Sequence, residues 1–374
     1  MIASVLIALV AIVLLAILIV AARLGRLQAV REALRGPFHL KRSNKNPIIS
    51  PRKENGWEAE GVFNPAAVKI DGKVHLLFRT TGTDGVSRIG YASTEDGITI
   101  TERSIKPVYI PREWFEGAVS VGPGFSQDVW GSGGGWGGCE DPKATYIEDE
   151  ETIYMTYVAN NGWGPQRIAL TSISKKDFLN KNWEKGWKKA KLISRPGEIN
   201  KSAVILPKKI HGKYAIFHRV FPDILVDYVD DLQFKNDSFL EPKHRIPARK
   251  DKWDSRKASV GATPIETPYG WLTIYHAVDN KDSGKYKIGA MLLKKDEPHV
   301  VLARSDEPIL EPDAPYENDW KPGVAYPSGA AVVGDQLHVY YGGGDKYVCV
   351  ASTPVNDILN YLLKSGPKPQ MTVA

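Results

Sequence analysis

Cysteine is scarce in this chain of 374 residues, which contains only Cys139 and Cys349, far apart. Two cysteines at that separation do not form the spaced framework of a small disulfide-stabilised domain. The eight histidines are scattered, and neither cysteine has a partner at metal-ligand spacing. The composition therefore excludes a disulfide scaffold, and it predicts an activity that uses neither a metal nor a cofactor.

Three further absences narrow the class of protein. The positive excess of +6 is small, and no basic stripe with interleaved aromatic residues is present, which argues against nucleic-acid binding. The glycine-rich run at residues 131–138 lacks the Gly-Lys-Ser/Thr ending of a P-loop. Beyond the N-terminus no long amphipathic helical pattern occurs, so an all-β domain is predicted, with a short helix at residues 355–364 inside a C-terminal helix and tail at 355–374.

The N-terminal segment has the opposite character, because residues 2–22 are all Ile, Leu, Val and Ala except for Ser4. A run of about 20 apolar residues matches the hydrocarbon core of a bilayer, so one transmembrane helix is predicted within residues 1–22. A cleaved signal peptide is the alternative, although no basic residue precedes the run. Basic residues instead follow it in a linker at residues 23–45. By the positive-inside rule this predicts a single-pass membrane protein whose catalytic domain faces the cytoplasm.

Residues 46–354 repeat one pattern five times: an apolar strand, a turn with glycine or acidic residues, and a second apolar strand. Residues 66–70, for example, turn at Asp71-Gly72 into residues 74–78. The pattern recurs at residues 144–157, 203–217, 262–275 and 330–341. Each is a hairpin by residue type. The spacing is compatible with four-stranded blades, so we predict a five-bladed β-propeller with a central funnel. A β-sandwich with coincidental hairpins is the alternative.

One motif within this pattern carries adjacent carboxylates, namely Gly137-Gly138-Cys139-Glu140-Asp141-Pro142. Glycines let the backbone approach a ligand, and Pro142 is expected to restrict Asp141 to an extended conformation. Polar residues occupy equivalent places in the other repeats, at the start of the first strand or the end of the second. These residues are Asn64, Arg79, Lys201, His218, Arg219, Lys257, His276 and Asp345. In a radial arrangement they converge on one mouth, which suits an anion bound beside a sugar.

These residues resemble glycoside hydrolase family 130, the β-mannoside phosphorylases and related mannosidases. The resemblance covers about residues 46–352, and it rests on several segments in order. They are Val62-Phe63-Asn64-Pro65-Ala66-Ala67, Phe78-Arg79-Thr80, Glu140-Asp141-Pro142 and the segments at 210–219, 270–276, 303–312 and 340–345. The family fold is a five-bladed β-propeller, as the repeats predict.

The resemblance also implies roles for individual residues. Asp141 would be the general acid and would act through a sugar hydroxyl. The predicted substrate-binding residues are Asn64, Arg79, Glu140, His276 and Asp345. The predicted phosphate-binding residues are Lys201, His218, Arg219 and Arg167. One departure is Lys143, where the family has arginine, because lysine lacks the bidentate fork of a guanidinium. Trp130 and Trp136, on the glycine-rich loop, are candidates to stack on sugar.

The predicted function is a membrane-anchored phosphorylase that cleaves or synthesises β-mannosides with inversion. Inorganic phosphate would be the co-substrate, and the partner a β-mannoside oligosaccharide or glycoconjugate. Phosphate is already a charged nucleophile, so one carboxylate and a basic cradle suffice, whereas an inverting β-mannosidase needs a second carboxylate to activate water. Candidates for that carboxylate are Glu60, Glu116, Glu198 and Asp223. A non-catalytic, membrane-tethered sugar-binding propeller is the third alternative.

Overall fold

Five antiparallel sheets form most of the described chain, which comprises residues 38–117, 133–235 and 238–365 of this computed structural model. Among these residues, no helix has the length and apolar character needed to cross a bilayer. The span predicted at residues 1–22 and most of the linker at 23–45 lie outside the described residues.

The strands follow one another sheet by sheet along the chain. β1 (Lys41–Arg42) comes first and belongs to the last sheet. The first sheet contains β2 (Gly61–Ile70), β3 (Lys73–Thr81), β4 (Val86–Thr94) and β5 (Ile100–Arg103). The second contains β6 (Gly137–Ile147), β7 (Thr152–Asn160), β8 (Arg167–Ser174) and β9 (Lys191–Leu192). The third contains β10 (Lys201–Ile205), β11 (Tyr214–Val220), β12 (Asp223–Val229) and β13 (His244–Ile246).

The last two sheets follow the same order. The fourth contains β14 (Lys257–Val260), β15 (Ile265–Thr267), β16 (Gly270–Val278), β17 (Lys287–Leu293) and β18 (Val301–Arg304). The fifth contains β19 (Ala325–Val333), β20 (Gln336–Gly343) and β21 (Tyr347–Pro354), together with β1. The helices are α1 (Lys175–Leu179), α2 (Trp183–Gly186) and α3 (Val355–Ser365), and short 3-10 turns lie at Gly56–Glu58, Trp114–Glu116, Glu148–Glu150 and Pro315–Glu317.

The five sheets contact one another in a closed ring, mainly through their first strands. β2 contacts β6, β6 contacts β10, and β10 contacts β14, while β19 contacts both β16 of the fourth sheet and β2 of the first. A short parallel pairing of Val86 with Gly137 also joins the first two sheets. The predicted all-β fold is confirmed, and its five sheets have a propeller-like arrangement.

Strand β1 completes the fifth sheet from the other end of the chain. Lys41 pairs with Ser352 and Arg42 with Ala351, so the sheet combines residues some 300 positions apart. The predicted start of the domain at residue 46 therefore differs from the structure, in which the sheets already include residues 41 and 42. A two-residue strand has no apolar pattern of its own, and only its position beside β21 makes it part of a sheet.

The core lies between neighbouring sheets, in separate clusters of buried side chains. One cluster joins the first and second sheets through Leu77, Tyr91 and Met155, and another joins the third and fourth through Phe217, Val260 and Tyr275. Because each sheet packs on both faces, its central strands are buried: every residue of β16 is buried, including the polar Thr273 and His276.

Bulges interrupt four of the five first strands near their starts. The pairing shifts between Phe63 and Ala66 in β2 and between Glu140 and Lys143 in β6. It also shifts between Lys201 and Val204 in β10 and between Pro327 and Gly329 in β19. In the fourth sheet the predicted strand at residues 262–265 lies mostly between β14 and β15, where Gly261 and Ala262 both donate to the Ile274 carbonyl. A bulge redirects a side chain out of its sheet, so these positions shape the centre of the ring.

Candidate active site

The bulges in the first three sheets place three polar residues in equivalent positions. Asn64, Asp141 and Ser202 have φ values of 50°, 49° and 58°. The expectation that Pro142 keeps Asp141 extended was therefore wrong, because the extra residue of the bulge requires a left-handed turn. Such a conformation costs a non-glycine residue about 1–3 kcal/mol and is concentrated at functional sites.

The Asp141 carboxylate lies between an amide and a guanidinium. Its Oδ1 accepts a hydrogen bond from Asn64 Nδ2 at 2.7 Å and another from Arg79 Nη1 at 3.3 Å. Burial alone would raise the pKa of Asp141, but the positive charge of Arg79 and the Asn64 hydrogen bond outweigh it, with smaller help from Lys201, and lower the pKa. The structure thus brings the predicted Asp141, Asn64 and Arg79 together, with the carboxylate ionised.

Arg79 is itself held by a second carboxylate, that of Glu140. Arg79 Nη2 lies 3.2 Å from Glu140 Oε1, and Asn160 Nδ2 donates to the same oxygen at 3.0 Å. Arg79 Nε donates to Ser87 Oγ at 3.1 Å. Glu140 is fully buried and its Oε2 makes no hydrogen bond within the described chain. Glu140, predicted to bind substrate, therefore contacts Arg79 and Asn160.

A group of cations lies beside Asp141 on the third and fourth sheets. Lys201 pairs in register with Arg219, and the Nε of Arg219 is buried without a hydrogen bond among the described residues. Lys257 Nζ donates to the Tyr286 hydroxyl at 2.6 Å. Burial and the neighbouring charges of Arg219 and Lys201 lower the pKa of Lys257 to about 7. Cations that lie this close together repel one another, as the lowered pKa of Lys257 shows, and such a group beside Asp141 indicates a site for an anion.

The imidazole of His276 lies next to this group. Its ring is 4.2 Å from the ring of Tyr326, whose hydroxyl lies 3.0 Å from Ser202 Oγ. Burial, together with Lys143, Arg219 and Lys257, lowers the pKa of His276 well below its usual value, so the ring is neutral. Its Nδ1 has no hydrogen-bond partner within the described residues.

Asp345, predicted at the mannosyl subsite, lies at the end of the fifth sheet. Its carboxylate accepts from Lys321 Nζ at 2.7 Å. Asp345 also contributes to the raised pKa of Arg79, where burial opposes but Glu140, Asp141 and Asp345 together prevail. The predicted Asp345 is therefore part of the same charged network.

Two of the predicted phosphate ligands, His218 and Arg167, contact groups outside the cation group. His218 Nε2 lies 2.8 Å from Asp227 Oδ2, and its Nδ1 contacts the Asn200 side chain at 2.9 Å. His218 lines a cavity of about 630 Å³ with Arg195 and Glu241. Arg167 Nε donates to the Ser194 carbonyl at 3.0 Å, and its guanidinium lies over the ring of Phe239. Alternate residues of a strand point to opposite faces, so His218 and Arg219 cannot both face the centre.

Lys143 has a different environment from the one that its place after Asp141-Pro142 suggests. Its Nζ donates to the Gly261 carbonyl at 2.5 Å and the Pro327 carbonyl at 3.3 Å, and lies 5.1 Å from the centre of the Tyr326 ring. It thereby connects the second sheet to the fourth and fifth across the ring. Burial lowers the pKa of Lys143 to about 7, against the opposing charge of Asp141. Its partners are backbone carbonyls, so no bidentate fork is needed there.

Four residues of the site had no substrate- or phosphate-binding role predicted from the sequence, although the repeats placed Lys257 at the mouth: Lys257, Tyr286, Lys321 and Tyr326. Lys257 and Tyr326 lie at or next to the start of the first strand in the fourth and fifth sheets, so the repeat itself was a usable signal. Tyr286 and Lys321 lie in connecting segments, where no pattern in the sequence distinguishes them.

None of the four candidates for a second carboxylate contacts Asp141 or Arg79. Glu60 is exposed near Lys53, and Glu198 lines the cavity beside His218. Glu116 is buried against the hydroxyls of Tyr109 and Tyr157. Asp223 accepts from the Ala248 amide.

The glycine-rich loop is described from residue 133 onward, and Trp130 lies outside the described residues. Trp136 Nε1 donates to the Asp84 carbonyl at 2.8 Å, and its indole lies against Gly85. No three His, Cys, Asp or Glu side chains of the described chain come together as a possible metal site.

Comparisons with known proteins agree on one family. A family model described as beta-1,4-mannooligosaccharide phosphorylase (Glyco_hydro_130) matches residues 39–364. The chain is 35% identical over 334 residues to a 1,2-beta-oligomannan phosphorylase of Thermoanaerobacter sp., covering 85% of this chain and 98% of that protein. It is 30% identical to a beta-1,4-mannooligosaccharide phosphorylase of Ruminococcus albus, covering 86% and 90%. The solved beta-1,2-mannobiose phosphorylase of Listeria innocua superposes with a TM-score of 0.68 at 26% identity, covering 86% and 99%.

Proposed function

Because the chain belongs to glycoside hydrolase family 130 and is an enzyme that acts on β-mannosides, we propose that it is a phosphorylase with a five-bladed propeller fold. It transfers a mannosyl group to inorganic phosphate with inversion, or catalyses the reverse. Asp141 is the general acid, while Asn64, Arg79 and Asp345 bind the sugar. Relatives at 35% identity act on β-1,2-mannosides, by their names, so we propose β-1,2-linked manno-oligosaccharides as the first substrates to test.

The observation that carries this proposal is the cation group beside one ionised carboxylate. Lys201, Arg219 and Lys257 lie together beside Asp141, and Arg219 Nε is an unused buried donor among the described residues. Guanidinium and ammonium groups in this arrangement bind and orient phosphate. Within the described residues, Glu60, Glu116, Glu198 and Asp223 all contact other groups, not Asp141 or Arg79, which favours phosphate over water as the nucleophile. We therefore assign the phosphate site to these three residues, rather than to His218 and Arg167.

The same arrangement explains how an ionised Asp141 becomes an acid. Arg79 and, to a smaller extent, Lys201 lower the pKa of Asp141. A phosphate dianion bound to Lys201 offsets part of that positive charge and adds a negative charge near the carboxylate. Like charges raise the pKa of a carboxyl group. Binding of phosphate thus favours the protonated form of Asp141. That form is the one that can donate a proton to the leaving-group oxygen.

The test is an assay of the chain with β-1,2-mannobiose, β-1,4-mannobiose and mannosyl-glucose, each with and without inorganic phosphate. Phosphate-dependent release of mannose 1-phosphate is the expected result. Free mannose released without phosphate would contradict it and support the hydrolase. Asp141→Asn should lower kcat about 100-fold or more, as expected for loss of a general acid. The matched control is Asp335→Asn, an exposed turn residue that should keep wild-type rates.

We also propose that residues 1–22 anchor the enzyme in a membrane with its catalytic domain in the cytoplasm. The support is the apolar run and the basic residues that follow it. Fractionation of cells that express the full chain tests the proposal. Recovery of the activity in the soluble fraction would contradict it, as would loss of residues 1–22 from the mature protein.

A further inference from the structure

Exposed apolar side chains concentrate at the end of the ring that carries Asp141. The segments preceding each first strand and the hairpins joining second to third strands lie at this end, here called the acid face. Of nine large apolar side chains that are exposed in the described chain, seven lie on the acid face. They are Ile105, Ile110, Trp114, Trp163, Ile199, Phe221 and Trp320. Single exposed apolar residues are ordinary on a protein surface, so the neighbours of each side chain decide whether it belongs to the site.

Trp320 is the member of this group that the structure connects to the acid. A Cβ added to Gly134 would lie 2.5 Å from Trp320 Cη2 and 3.0 Å from Cζ2, so the indole lies directly against that glycine. A Cβ on Gly133 would lie 3.0 Å from Arg79 Nη1, and one on Gly135 would lie 3.3 Å from Arg79 Nη2. One layer of glycine backbone therefore separates Trp320 from the guanidinium that binds Asp141.

A second connection runs through the neighbouring residue. Lys321 donates to Asp345 at 2.7 Å, and this ion pair fixes the segment that carries Trp320 at the edge of the site. Trp320 nevertheless remains 52% exposed. An indole held at its benzo edge by Gly134 and half exposed has a free apolar surface, on which the C–H face of a sugar ring can stack. Such aromatic platforms with one polar edge are typical of ligand sites.

Resting on the proposed function, we propose that Trp320 is the platform for the acceptor-side sugar, the one that departs when the mannosyl group is transferred. The mannosyl group itself lies at Asp141, among the buried residues Arg79 and Asn64. An exposed residue at the rim meets the part of the oligosaccharide that extends out of the site. Trp320 would therefore determine affinity for the acceptor sugar, with no part in binding phosphate.

The test compares Trp320→Ala and Trp320→Phe with Trp114→Ala, a control at an exposed tryptophan of the same face that packs edge-on against Phe115. Steady-state kinetics are measured with β-mannobiose and phosphate, and in reverse with mannose 1-phosphate and mannose as acceptor. Trp320→Ala should raise the KM for mannobiose and for the acceptor about tenfold, equivalent to about 1.4 kcal/mol. The KM for phosphate should not change. Trp320→Phe should restore most of the affinity, and Trp114→Ala should stay within about twofold of wild type.

A binding experiment separates failure of this inference from failure of the proposed function. Calorimetric titration of β-mannobiose into Asp141→Asn, alone and combined with Trp320→Ala, needs no turnover and no phosphate. A roughly tenfold weaker Kd for the combined variant supports the platform even if the wild type proves to be a hydrolase. Equal Kd values, a KM for mannobiose unchanged by Trp320→Ala, or no measurable mannobiose binding would each overturn it.

Discussion

A bulge can turn a single side chain out of its strand, as it does at Asn64, Asp141 and Ser202. Each has a positive φ at the same place in its sheet. Asparagine and aspartate tolerate this conformation better than most residues, which suits the two positions where the side chain must also accept or donate hydrogen bonds. At Asp141 the strain, the buried Arg79 and the Asn64 amide all act on one carboxylate.

Lys257 gives the clearest pH dependence at the residue scale. Its lowered pKa, about 7, means that its charge is present below neutral pH and is lost as the pH rises through 7. Bound phosphate would keep the lysine protonated, so binding above pH 7 requires uptake of a proton. The KM for phosphate should therefore rise with pH, by at most about tenfold per pH unit.

Lys257→Arg provides the comparison, because arginine stays charged throughout this range. The ratio of wild-type KM to variant KM should increase from pH 6 to pH 8, and titration of phosphate itself cancels in that ratio. Lys321→Arg is the control: burial opposes its charge, but Asp345 prevails and raises the pKa of Lys321, so its ratio should be flat. A flat ratio for Lys257→Arg would remove Lys257 from the phosphate site.

A recurring buried acid supports the segment that leads into most of the sheets. Glu58, Glu116, Asp254 and Glu317 each follow an aromatic residue and precede a first strand, and each is fully buried. Glu116 and Glu317 both accept hydrogen bonds from two backbone amides and from tyrosine hydroxyls. This buried acid recurs in four of the five sheets. It holds in place the segment that leads into each first strand, where the site residues lie.

Asp254 allows a matched test of this device at the element scale. It binds Arg249 at 3.0 Å, Arg304 at 2.7 Å and the Tyr275 hydroxyl at 3.0 Å. Asp254→Asn leaves two buried or half-buried cations without their carboxylate, so the free energy of unfolding should fall by about 3–5 kcal/mol. Urea denaturation measures this loss.

Asp306→Asn is the control for that measurement. Asp306 approaches the same Arg249, at 3.9 Å, but its side chain is 58% exposed. Exposed pairs contribute about 1 kcal/mol or less, so this change should be small. Equal losses for the two variants would show that burial of the acid is not what stabilises the connection.

For the whole molecule, completion of the fifth sheet depends on Lys41 and Arg42, near the start of the described chain. β1 forms the outer strand of the fifth sheet, and Arg42 binds the buried Glu317 through Nε at 2.8 Å and Nη2 at 2.9 Å. Removing residues 1–44 exposes the edge of β21 and leaves Glu317 without its guanidinium.

We therefore expect two truncated proteins to differ strongly in their free energy of unfolding. A protein lacking residues 1–37 keeps β1, whereas one lacking residues 1–44 should be less stable by about 3–5 kcal/mol. Thermal unfolding of both, followed by circular dichroism, measures the difference. Arg42→Met in the full chain should reproduce most of the loss, and identical melting temperatures for the two truncations would contradict the role of β1.

The sequence by itself determined the features that depend on local pattern. Five apolar hairpins predicted the all-β fold, because alternation and turn residues are local. The motifs at Asn64, Arg79 and Asp141 predicted the family, and these three residues do contact one another.

Only the tertiary structure decided the features that join distant parts of the chain. Lys143 binds a carbonyl 118 positions away, and β1 pairs with β21 across the whole domain. His218 and Arg219 are adjacent, yet only Arg219 belongs to the cation group, because which strand face points inward depends on the neighbouring sheets. Lys257 and Trp320 gain their importance from Tyr286 and Gly134, partners that no local pattern identifies. The physical reason is that contacts across the ring depend on how the sheets pack against one another. Residues that are close in sequence predict only the hairpins within each sheet.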